Sequence, residues 1–155
     1  MVPTAVNRAP KGDTSASLND IKNLIKHPQL VRLNIGVMLL HLTLTAVFVA
    51  LPAELIKDGL AAEMHWQLYI PVLLLAFVFM VPMMIIAIKK QKEKMAFLAS
   101  IALIVASLMS LSLFGSSAVI IGICMLLYFI AFNFLEATMP ALVARISPAG
   151  QKGSA

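Results

Sequence analysis

The chain has 155 residues, of which 61% are hydrophobic and 12% are charged, and its formal net charge is +5. Soluble globular domains carry about 25% charged residues, and so few polar side chains cannot cover the surface of a soluble protein. The composition therefore predicts a polytopic membrane protein. The basic residues flank apolar runs rather than forming an aromatic-interleaved patch, so no nucleic-acid partner is expected.

The N-terminal segment differs from the rest of the chain. Residues 1–16 contain prolines, a glycine and small polar residues but no apolar signal-peptide core, which predicts a flexible cytoplasmic linker. Residues 17–32 begin with one apolar helical face (Leu18, Ile21, Leu24, Ile25) bordered by lysines. This pattern predicts an amphipathic helix at the cytoplasmic membrane surface, broken near His27-Pro28. An ordinary surface helix is the alternative.

Four apolar stretches are long enough to cross a bilayer as helices, at residues 33–53, 67–88, 95–114 and 118–144. The 21 residues of the first stretch would extend about 31 Å. Trp66 and Tyr69 at the start of the second stretch are typical of an interfacial aromatic belt. The third stretch has no ionisable residue, so we expect it to lie at the periphery. Residues 145–155 are predicted to form a polar cytoplasmic loop.

Lysine and arginine are divided unequally between the two predicted sides of the membrane. Of the twelve basic residues, only Lys57 lies in the segments that follow the first and third stretches. Short loops rich in lysine and arginine stay in the cytoplasm. The sequence therefore predicts four spans with both termini cytoplasmic.

Polar residues inside two of these stretches are the candidate functional groups. The fourth contains Asn133 and Glu136, and a carboxylate at the bilayer centre costs about 2.5–3.5 kcal/mol. The first carries Asn34, His41 and Thr45 within one helical stripe. These five residues are the predicted proton or substrate pathway.

His41 and Glu136 are predicted to lie at equal depth. Each is eight residues from the cytoplasmic end of its stretch, or about 12 Å along a helix, so the two side chains would meet if the helices are neighbours. Imidazole titrates near physiological pH, which suits a proton pathway. The structural alternative is that His41 hydrogen-bonds a neighbouring helix, while Glu136 is protonated or capped by Asn133.

No other chemistry is indicated by the sequence. Its three histidines fall in different predicted compartments, and no phosphate loop, metal cluster or nucleophile triad is present, so neither a cofactor nor an enzyme activity is expected. Aromatic residues in the fourth stretch fit either a cavity lining or helix packing (Tyr128, Phe129, Phe132, Phe134). Cys124 is expected to be a small buried hydrophobe.

Two runs resemble transporters of the major facilitator superfamily. HPQLVRLNIGVMLLHLTLTAVFVALP resembles their seventh helix, and FIAFNFLEATMPALVARISPAGQKGSA resembles the tenth helix with its following loop. The combined pattern, over about residues 18–155, is closest to the YajR-like, drug-efflux-type inner-membrane carriers. The resemblance implies that the four stretches are helices seven to ten of a twelve-helix fold, with the seventh and tenth lining the cavity.

The resemblance also implies a function. It indicates part of a proton-coupled carrier that exports small lipophilic compounds by alternating access in the inner membrane. The expected partners are the bilayer, protons, a small-molecule substrate and the missing helices, the chain being a fragment, a truncated frame or a split subunit. A four-helix homodimeric exporter and a non-transporting membrane scaffold are the alternatives.

Overall fold

The computed structural model of the chain describes residues 26–115 and 117–146. These residues form four long helices: α1 (Pro28–Lys57), α2 (Trp66–Lys89), α3 (Glu93–Phe114) and α4 (Ala118–Ile146), with a short 3₁₀ turn at Ala62–Met64. All four helices are long and apolar enough to cross a membrane, and the described residues contain no strand. The predicted all-α, multi-span fold is confirmed.

The first helix is longer than its apolar stretch. It begins at Pro28 instead of residue 33 and ends at Lys57 instead of residue 53, so Pro52 lies inside it. Hydropathy marks where a helix meets hydrocarbon, whereas helix ends are set by backbone hydrogen bonds. Proline suits the first turn of a helix because its missing N–H is not needed there.

The predicted amphipathic segment is described only in part. Residues 1–25, and with them the predicted linker and most of this segment, lie outside the described residues, as do residues 147–155 of the predicted C-terminal loop. Lys26 is helical, His27 is not, and Pro28 begins α1. Residues 28–32 therefore belong to the first long helix and not to a separate surface helix.

Both α1 and α2 end in a Schellman motif, which satisfies their last carbonyl groups. At the end of α1, the N–H groups of Gly59 and Leu60 donate to the carbonyls of Ile56 (3.0 Å) and Leu55 (2.9 Å). Gly59 has a φ of 90°, which glycine adopts without steric cost. The Asp58-Gly59 pair thus lies in a turn, as is typical of Asp-Gly sequences.

The contacts between residues divide the chain into two compact units, and residues 39–138 form the larger one. Within this unit α4 supplies half of the buried hydrophobic residues, including Ile121, Met125, Tyr128 and Phe134, each of which is at most 2% exposed. Cys124 is buried among them, as predicted. A side chain at Gly122 would bring its Cβ to 2.9 Å from Leu68 Cδ1, so α4 and α2 approach closely there.

The other helices of this unit bury narrower stripes. In α3 the buried residues are Ser100, Ile104 and Ser107, and both serine hydroxyls donate to carbonyls one turn earlier in the helix. The rest of α3 is largely exposed, while Trp66 at the start of α2 is 58% exposed. Such apolar outer faces suit a lipid environment.

Of the described residues, 26–38 and 139–146 belong to the smaller unit. Leu30 is its buried apolar residue near the start of α1. A Cβ added at Gly36 would lie 3.6 Å from Met139 Cε, an ordinary van der Waals contact. The N-terminal part of α1 and the C-terminal part of α4 are therefore in contact within this unit.

An acidic side chain caps the N-terminus of α4. Asp58, in the connection after α1, accepts a hydrogen bond of 2.6 Å from the backbone N–H of Ala118. The Ser117 hydroxyl accepts a second from Ile120 at 3.4 Å. Because a carboxylate also complements the positive end of the helix dipole, Asp58 ties the end of α1 to the start of α4.

We predict that Asp58→Ala lowers the free energy of unfolding by about 0.5–2 kcal/mol, the usual cost of losing an N-cap acceptor. Unfolding by sodium dodecyl sulfate in mixed micelles, followed by circular dichroism, measures the change. Glu63→Ala is the matched control, since Glu63 is an exposed carboxylate in the same connection, and should change stability by less than about 0.5 kcal/mol. Equal losses in both variants would contradict the capping role.

Candidate functional site

His41 on α1 and Glu136 on α4 lie side by side. His41 Nε2 is 3.6 Å from Glu136 Oε2, and the two side chains are 50% and 46% exposed. This distance is within ion-pair range but too long for a direct hydrogen bond. The predicted proximity of these residues is confirmed, whereas their role in a pathway stays a prediction.

An aromatic residue supports the histidine. The His41 ring stands edge-on to Phe132, with centroids 6.1 Å apart and an interplanar angle of 71°. Phe132 in turn stacks on Tyr128 at 5.9 Å, and both are buried. Because both aromatic rings are packed into the core, they restrict the orientation of the imidazole, which is half exposed.

A hydrogen bond between hydroxyl groups links α1 to α4. The Tyr128 and Thr43 hydroxyl oxygens are 2.9 Å apart. Thr43 donates its own proton to the Leu40 carbonyl at 2.7 Å, so Tyr128 must be the donor to Thr43. The bond lies two residues from His41 on α1 and about two turns from Glu136 on α4, and it joins the two helices.

Sequence reasoning did not single out Thr43. It lies among three polar residues of the same stretch and belongs to the half-buried side of α1, whereas His41 and Thr45 are exposed. A hydroxyl facing a tyrosine 85 positions away leaves no local sequence signal. Only the packing of α1 on α4 reveals it.

The remaining predicted residues are placed as follows. Thr45 is exposed one turn from His41 and donates to the His41 carbonyl at 3.0 Å. Asn34 is exposed and belongs to the smaller unit. Asn133 is half-buried, and its amide makes no hydrogen bond within residues 26–115 and 117–146. The structure thus brings His41, Thr45 and Glu136 into one region.

The aromatic residues of α4 mostly serve packing. Tyr128, Phe129, Phe132 and Phe134 are all buried. Phe48 of α1 packs between Phe129 and Tyr69 of α2, at centroid distances of 5.9 and 6.2 Å. Of the two interpretations of these aromatic residues, helix packing fits their burial better than a cavity lining. In the described part of the chain no three histidine, cysteine or acidic residues come together as metal ligands.

The chain is similar to a curated transport protein. The chain is 34% identical over 159 aligned positions to the inner membrane transport protein YajR of Escherichia coli strain K12, an alignment that includes the whole chain. The chain spans about a third of the length of that relative, 34%. No protein-family model matches the chain, and no solved structure shows significant similarity to it.

We predict that Thr43→Val and Tyr128→Phe are energetically coupled. Their hydrogen bond lies between helices, where coupling energies average about 0.6 kcal/mol and reach about 1.7 kcal/mol. A double-mutant cycle on unfolding in mixed micelles measures the coupling. Thr45→Val with Tyr128→Phe is the control cycle, because Thr45 bonds its own helix, and its coupling should be near zero. Two cycles of equal coupling would contradict the assignment.

Proposed function

We propose that the chain, which is 34% identical to the inner membrane transport protein YajR, is part of a major facilitator superfamily carrier that exports small lipophilic compounds in exchange for protons. The proposal places the His41–Glu136 pair in the proton and substrate pathway. It further places the chain in the inner membrane with both termini in the cytoplasm, because the basic residues are concentrated on one side.

The main support for the proposal is that the side chains of His41 and Glu136 are exposed on otherwise hydrophobic helices. Both side chains are about half exposed, although they lie in helices whose other exposed residues are mainly hydrophobic. An ionisable residue within a membrane span costs too much free energy to face lipid, so it faces a protein partner or water. An open His41–Glu136 pair supports a wet cavity bordered by α1 and α4.

The pair offers a simple way to load and release a proton. A carboxylate and an imidazole whose nearest atoms are 3.6 Å apart can pass a proton to each other or to a neighbouring water. Alternating access exposes such a site to one side of the membrane at a time. A proton taken up by Glu136 from one side would then be released to the other side when the cavity opens there.

A full transport cycle requires more helices than the four in this chain. The relative is about three times as long, so the helices that would complete the cavity are proposed from the resemblance, as are the substrate and the proton stoichiometry. The family pattern implies that α1 and α4 correspond to its seventh and tenth helices, which line the central cavity. The placement of His41 on α1 and Glu136 on α4 supports that correspondence.

We predict that Glu136→Gln abolishes substrate-driven proton release, lowering its initial rate at least tenfold, because glutamine fills the same space but cannot carry the proton. The assay uses proteoliposomes containing this chain with the remaining helices of a YajR-type carrier supplied, a pH-sensitive dye inside, and a panel of lipophilic fluorescent dyes as substrates. His41→Gln should lower the rate as well.

Glu63→Gln is the matched control, since it neutralises an exposed carboxylate outside the four apolar stretches, and it should leave the rate unchanged. Circular dichroism and the amount of protein inserted establish that each variant is folded. Normal proton release by Glu136→Gln, with only its unfolding free energy lowered, would contradict the proton role and favour a scaffold.

A further inference from the structure

The turn between α2 and α3 concentrates positive charge in a rigid backbone. Four lysines fall within six residues, at Lys89, Lys90, Lys92 and Lys94. We propose that this lysine turn, residues 89–94, is a binding site for the headgroups of anionic phospholipids at the membrane face where α2 ends. The proposal depends on α2 and α3 crossing the bilayer and is independent of the transport function proposed above.

Hydrogen bonds fix the backbone of the lysine turn. The N–H groups of Gln91 and Lys92 donate to the carbonyls of Ile88 (3.0 Å) and Ala87 (2.8 Å), which is the second Schellman motif of the chain. Gln91 takes the left-handed position with a φ of 54°. The Lys92 carbonyl then accepts from Ala96 at 3.0 Å and starts α3. The backbone of each lysine is therefore already ordered, in a helix or in the motif. Ligand binding then costs little additional backbone entropy.

The four ammonium groups are available to an external anion. All four lysines are exposed, and none of them forms an ion pair within the described ranges 26–115 and 117–146. Only one acidic residue, Glu93, accompanies them in the turn. Lys57 on the opposite predicted side differs, because Glu54 lies 2.8 Å from its Nζ. The excess positive charge of the lysine turn is thus not compensated by neighbouring side chains in this part of the chain.

Exposed hydrocarbon borders the charge on both helices. Ile85, Ile86 and Ile88 in the last turns of α2 are 46–55% exposed, and Met95 and Leu98 at the start of α3 are 66% and 56% exposed. Lysine stems extend along apolar surface while their charged ends stay in water. A ligand that matches this arrangement has an anionic head and acyl chains, which favours a phospholipid over a soluble phosphate ion. Clusters of four or more basic residues next to a membrane helix recognise such lipids.

The test compares lipid retention by native mass spectrometry of the whole chain in neutral detergent micelles. Micelles have no two sides, so a change of topology cannot affect the result. Phosphatidylglycerol and phosphatidylethanolamine with identical acyl chains are added in equal amounts. We expect preferential retention of phosphatidylglycerol and a loss of about fivefold in its affinity for each lysine neutralised, hence at least tenfold for Lys90→Gln with Lys92→Gln.

Two further variants make the result decisive. Arginine at both positions keeps the charge and should keep the lipid. Lys26→Gln with Arg32→Gln removes two exposed charges from the same predicted side but outside the lysine turn, and should cost much less. Equal losses from the two glutamine pairs would overturn the proposal in favour of general charge attraction. Equal retention of both lipids by the unaltered chain, or displacement of phosphatidylglycerol by millimolar inorganic phosphate, would overturn it as well.

Discussion

The burial of α4 is the constraint on which the rest of the described structure depends. More than half of its apolar span is buried, 56%, against 17–22% for the spans of the other three helices. Within residues 39–138, α1 is joined to it by Thr43 and Tyr128, and α2 reaches it where Leu68 meets Gly122. Without hydrophobic driving force between helices in lipid, such close packing and interhelical hydrogen bonds determine how the helices associate.

The fold was largely predictable because membrane spans obey a simple rule. Backbone groups in hydrocarbon must be satisfied within a helix, so four apolar stretches gave four helices, with ends within a few residues for α2, α3 and the start of α4. The bounds of α1 were predicted least well, since Pro28 and Pro52 suggest ends but lie within the helix. Periodicity alone also could not identify α4 as the central helix, because it is as apolar as its neighbours.

The candidate site was predictable only in part. The equal depth of His41 and Glu136 along their helices gave the pair, because two neighbouring helices bring residues of equal depth together. The contacts around the pair could not be predicted this way. The packing of Phe132 against His41 and the bond between Thr43 and Tyr128 depend on how α1 is rotated about its axis. Asp58 at the start of α4 likewise depends on the path of a loop. The sequence thus indicates the ionisable side chains of a site, whereas the packing and hydrogen bonds around them become known only from the structure.

The exposed Trp66 has a practical consequence. It is the sole tryptophan of the chain, it lies at the first residue of α2, and its indole is more than half exposed. Tryptophan residues of membrane proteins concentrate at the boundary between headgroups and hydrocarbon. The native emission spectrum therefore reports the polarity around one known point, so the depth at which α2 enters a bilayer can be followed optically without introducing any label.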